Sequence, residues 1–109
     1  MEDKNYIIVS KIIKYVEKIL SYIEGVDKST FVEDSKLLEA CIFNLLQIGE
    51  IANRLDEDFQ SRYTEIPWSK IRGLRNRLVH DYEGVNFELL WQVVEGDLDV
   101  LHRQLLSIL

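Results

Sequence analysis

Apolar residues recur along this chain at alternating steps of four and three. Near the start, Ile8, Ile12, Tyr15, Ile19 and Tyr22 form one such row, and Val9, Ile13, Val16, Leu20 and Ile23 form the next. Two adjoining rows make one broad apolar face, which predicts a helix from about Lys4 to Ile23 with Lys11, Lys14 and Lys18 on its opposite side. Gly25 suits its stop. A second helix is predicted from about Val32 to Leu55. Its main row is Leu38, Cys41, Leu45, Ile48, Ala52 and Leu55, and Ile42, Phe43 and Leu46 add apolar surface on other sides. A helix apolar on most sides is central or faces a second subunit. Gly49 in its middle costs up to about 1 kcal/mol relative to Ala, a cost that the close approach of another helix would explain.

Residues 56–67 read as a polar connector with one short helical turn. Pro67 fits the first turn of a third helix reaching Tyr82, with Trp68, Ile71, Leu74 and Leu78 inward and Gly84 as its end. Asn86 is a good N-cap for a fourth helix reaching about Ser107. Its row is Phe87, Trp91, Val94, Leu98, Leu101, Leu105 and Ile108. The pattern shows no strand alternation, repeat, linker or low-complexity segment. The expected fold is an all-α, up-and-down four-helix bundle with one short extra helical turn, formed as a single domain over residues 1–109.

Composition narrows the class. With 47% apolar residues among 109, a packed core is within reach and disorder is not expected. One Cys excludes an internal disulfide, and Cys41 reads as a small core residue. No apolar run approaches the roughly 20 residues of a membrane span. The opening MEDKNYIIVSK begins acidic and lacks a signal-peptide pattern, so a reducing cytoplasm is the expected location and no membrane partner is expected. The net charge is −6, which disfavours nonspecific nucleic-acid binding by the molecule as a whole. The distribution changes that picture. From Ile66 to His80 there are four basic residues, Lys70, Arg72, Arg75 and Arg77, and no acid, while all 19 acidic residues lie elsewhere.

Several chemistries drop out. The two His residues, His80 and His102, are far apart, and the Cys sits in a core row, so no zinc set is formed and no cofactor or metal is expected. No phosphate-binding Gly loop or Ser elbow is present. Paired catalytic carboxylates cannot be singled out. His102, beside Arg103, reads as a surface residue. The third helix remains. On a continuous helix Asn76 and His80, four apart, share a face, and so do Arg75 and Tyr82, seven apart. Arg75 and His80 are about 140° apart around the axis and cannot meet on one straight helix. A second copy across a two-fold axis could bring one subunit's Arg near the other's His, which predicts a composite site in a homodimer. The residue types suit RNA cleavage. A His accepts the 2′-hydroxyl proton near neutral pH. An Arg fork meets the charge developing on phosphoryl oxygens. An Asn can orient either.

At these residues the chain resembles the HEPN superfamily, specifically the HepT-like toxins of toxin–antitoxin pairs. The family motif is Arg, four residues, His, any residue, Tyr. Here it reads Arg75, Asn76-Arg77-Leu78-Val79, His80, Asp81, Tyr82. "IGEIANRL" at 48–55 and "PWSKIRGLRNRLVHDYEGVN" at 67–86 resemble its second- and third-helix blocks. The resemblance implies a homodimeric, metal-independent ribonuclease acting on tRNA or mRNA, in a pair of type VII character. It implies His80 as the acid–base residue, Arg75 on the scissile phosphate and Asn76 in support, with Lys70, Arg72 and Arg77 expected to contact RNA. It also implies a partner, an MntA-type minimal nucleotidyltransferase antitoxin, which attaches AMP to Tyr82 and adds bulk and negative charge beside the cleft. The alternative is a non-catalytic subunit that binds substrate or nucleotide for such a nucleotidyltransferase. A purely structural helical dimer would leave the acid-free stretch unexplained.

Overall fold

The computed structural model describes residues 3–80 and 84–109, with the backbone alone at positions 79 and 80. Asp3 starts α1 (Lys4–Tyr22), its carboxylate accepting from the Asn5 amide at 2.8 Å. The helix ends before Gly25, close to the predicted stop. Both predicted apolar rows contribute to the core. Val9, Ile12, Val16 and Ile19 have no exposed surface, whereas Tyr15 is half-buried and Tyr22 is exposed.

The predicted second helix is two helices. α2 (Lys28–Glu33) and α3 (Ser35–Ala52) are divided at Asp34. Asp34 is extended, and its side chain accepts from the Leu37 amide at 3.1 Å, so it closes one helix and caps the next. Asp is neutral to poor inside a helix but strong as an N-cap, which explains the break. The six residues of the predicted main row are all buried.

The connector is less polar than its composition implies. It contains α4 (Glu57–Arg62), whose Phe59 is fully buried, packed edge-on to Tyr6 and tilted against Tyr63. Asn5, itself buried, donates to the Asp56 carboxylate and accepts from the Asp56 amide, both at 3.1 Å, and so ties the start of α1 to the start of α4.

α5 (Trp68–Arg72) and α6 (Leu74–Leu78) follow, interrupted at Gly73. Next come β1 (Val79–His80) and β2 (Gly84–Val85), an antiparallel pair with Val79 opposite Val85 and His80 opposite Gly84. The last rod is α7 (Phe87–Gln92), a π-helical turn over Val93–Asp97, and α8 (Leu98–Ile108). Asn86 caps it as predicted, accepting from the Leu89 amide at 3.1 Å. A regular helix would leave Leu90 and Leu98 about 80° apart. The wider turn brings both inward, and both are buried, while Phe87 at the start of the predicted row is exposed.

α3 is the hub, packed along α1 on one side and carrying α5 and α6 on another, with α8 against α1. The fold is the expected all-α bundle, its second, third and fourth rods each interrupted once. No helix among the described residues is long and apolar enough to cross a membrane.

Candidate active site

The acid-free segment is held from its inner face. The Trp68 indole donates to the carbonyls of Gln60 and Tyr63, both at 3.1 Å, and anchors α5 on the connector. Trp68, Ile71, Leu74 and Leu78 are all buried, as the spacing predicts. Gly49 of α3 allows close contact, since a Cβ there would stand 3.0 Å from the Ile71 carbonyl oxygen. With one face fixed, the polar residues are left outward. Lys70, Arg72, Arg75 and Asn76 are exposed and Arg77 is half-buried.

The third helix ends at Leu78 rather than at Tyr82. The Leu78 carbonyl accepts from the Asn86 amide at 2.9 Å, and the chain runs into the short ladder. Gly84 has φ +83°, a conformation open to glycine that lets the backbone reverse tightly. The predicted helical relation of Asn76 to His80 therefore does not hold, nor does the 140° separation of Arg75 from His80, because His80 is on extended backbone. β-Branched Val79 and the Gly84-Val85 pair were the available signals for this hairpin. Tyr82 lies outside the described residues, and with it the predicted face shared with Arg75.

Of the three cations expected to contact RNA, two line a common groove. Lys70 and Arg77 stand at a groove of about 310 Å³ whose apolar wall includes Ile71, Leu74, Val93, Leu98 and Leu101, with Glu65 and Asp97 also on it. Arg72 instead donates to the Gln60 side chain. Among the described residues no carboxylate pairs with Lys70, Arg72, Arg75 or Arg77. A guanidinium such as that of Arg75 can grip two oxygens of one phosphate with its fork of donors. Asn76 beside it can donate or accept.

His102 is half-buried and pairs with Glu17 at 2.9 Å, joining α8 to α1. Cys41 is fully buried, and burial pushes its thiol up to about 11. No three His, Cys, Asp or Glu side chains cluster as metal ligands among the described residues. Sequence reading missed a second basic recess between α1 and α3, lined by Lys11, Lys14, Lys18 and Arg54. The lysine spacing was visible, but the contribution of α3 was not.

A family described as ribonuclease HepT-like matches residues 12–108. The chain is also similar to individual proteins. One, from Caldanaerobacter subterraneus subsp. tengcongensis and provisionally named an RNase, is 31% identical over 90% of this chain and 88% of its own length. Another, from Thermococcus cleftensis and named as a probable ribonuclease HepT, is 34% identical over 80% of this chain and 86% of its own. A third, from Methanocaldococcus jannaschii and also provisionally named an RNase, is 34% identical over 76% of this chain and 69% of its own. No solved structure gives a significant match. A match across nearly the whole chain settles the affiliation: the protein belongs to the ribonuclease HepT-like family of RNA-cleaving enzymes.

Proposed function

We propose that the protein is a metal-independent RNA endonuclease whose working site combines the motifs of two copies of the chain. The observation that carries this reading is the exposed pair Arg75 and Asn76, with no carboxylate partner among the described residues, near the end of a helix that runs into the strand of His80. His80 takes the proton of a ribose 2′-hydroxyl. The 2′-oxygen attacks phosphorus, the bond to the 5′-oxygen breaks, and the leaving oxygen is protonated. Arg75 binds the phosphoryl oxygens as their charge grows, and Asn76 supports them. Lys70 and Arg77 attract neighbouring phosphates. Phe43 and Phe87 are exposed, large apolar side chains of the kind a second copy would cover.

Within this reading Tyr82 is the control point. A nucleotidyltransferase partner transfers AMP from ATP: the phenol oxygen bonds the α-phosphorus, pyrophosphate leaves, and the phenol proton passes to solvent. The adduct then competes with RNA for Arg75.

The test is cleavage of total tRNA and a defined mRNA in EDTA by the wild type and His80→Ala at matched concentration. The expected result is cleavage by the wild type, with His80→Ala slower by about 10²–10⁴-fold and melting at the same temperature. Absence of cleavage by a folded, unmodified wild type would sink the nuclease reading. It would favour the nucleotide-binding subunit of a nucleotidyltransferase instead.

A further inference from the structure

The recess between α1 and α3 occupies about 460 Å³ and takes no residue from the motif segment. Lys11, Lys14 and Lys18 stand along its α1 side, and Arg54 and Gln47 on its α3 side. No acidic residue lines it. None of the four cations makes an ion pair among the described residues, although other cations of this acidic chain do, including Lys4, Lys28 and Arg103. Four uncompensated positive charges in one groove repel one another, and a polyanion in that groove would relieve the repulsion. The lysines advance by about 4.5 and 6 Å along the axis, so they follow one another along the groove. Tyr15, half-buried in the same recess, has the Lys18 ammonium 5.8 Å from its ring centre. A cationic groove that tracks the backbone is one part of how proteins bind single-stranded nucleic acid without reading its sequence.

We infer that the α1–α3 groove is a second RNA-binding surface, which holds the phosphate backbone of a single-stranded segment away from the cleavage motif. The inference rests on the reading of the protein as a ribonuclease and extends its RNA contact to a surface that motif does not include. A flat anionic membrane fits less well, because the recess is concave between two helices.

The experiment measures binding of a labelled oligouridylate against salt, in the His80→Ala background so that the RNA stays intact. His80→Ala is compared with the same protein carrying Lys11→Ala, Lys14→Ala and Lys18→Ala, substitutions that keep helix propensity. Loss of three phosphate contacts should make the slope of log K against log salt shallower by about 2 and weaken binding at least tenfold. In the otherwise native protein, the triple variant should raise KM for long RNA and leave kcat unchanged. Identical slopes and affinities would overturn the inference. So would unchanged RNA binding with lost binding to phosphatidylserine vesicles, which would assign the groove to a membrane surface. Failure of the nuclease reading appears separately, as absence of RNA cleavage by the wild type, and the salt slope still decides the groove.

Discussion

Cys41 has no exposed surface, and its thiol holds its proton until about pH 11 because the apolar surroundings penalise a thiolate. In the unfolded chain the same thiol ionises near 9.0. Folding is therefore unaffected by this group below pH 9, and stability falls progressively as the pH rises from there through 11, by on the order of 2 kcal/mol at the upper end. Urea midpoints measured from pH 8 to 11 should decline more steeply for the wild type than for Cys41→Ala. Parallel declines would show that Cys41 keeps contact with water. Arg75 presents the opposite case, an exposed guanidinium with no carboxylate partner among the described residues. Its identity and charge were legible in the sequence, because a guanidinium is charged whatever the fold around it. Its relation to His80 was not, because that relation depends on where the helix stops.

At the scale of elements, burial rows were the most legible feature. The inward residues of α1, α3, α5 and α6 follow from spacing alone, since a helix has one period and the core has one side. Breaks were less legible. Asp34 lies in the polar stretch Glu33-Asp34-Ser35-Lys36, which a long helix can carry on its outer face, and the π-helical turn shifts the buried row from Phe87 to Leu90, which regular spacing does not foresee. Phe59 was hidden among acids, and it packs on Tyr6, far away in sequence, as well as on nearby Tyr63. Gly49 was read correctly from its cost: it lets α3 approach α5 at the Ile71 carbonyl. Gly49→Ala should gain up to about 1 kcal/mol of helix propensity and lose about 1–3 kcal/mol to overpacking against a backbone atom that cannot rotate away. The expected net result is a lower denaturant midpoint at unchanged m. A rise in midpoint would mean that the two helices stand farther apart than described.

At the scale of the molecule, the chain measures 45 × 31 × 21 Å. The shortest extent is about two helix diameters, so one copy is about two helix layers thick in that direction. A site that must surround a phosphate gains depth from a second copy. If Arg75 of one subunit works with His80 of its partner, a mixture of Arg75→Ala and His80→Ala proteins should recover activity that neither has alone. Each heterodimer would keep one intact pairing and reach about half the wild-type rate. Silence of the mixture, with subunit exchange demonstrated, would place both residues of a working site in the same chain. The charge pattern operates at this scale too. A molecule of net charge −6 repels RNA over most of its surface, and binding along its basic segment should tighten sharply as salt is lowered.

Asn86 joins two jobs in one residue. Its amide closes the end of α6 on the Leu78 carbonyl, and its side chain opens α7 on the Leu89 amide. The seven intervening positions, His80 and Tyr82 among them, are thereby a clasped cassette whose ends are registered to the bundle without help from its contents. Lineages are free to exchange or retune that cassette while the helices on either side keep their places.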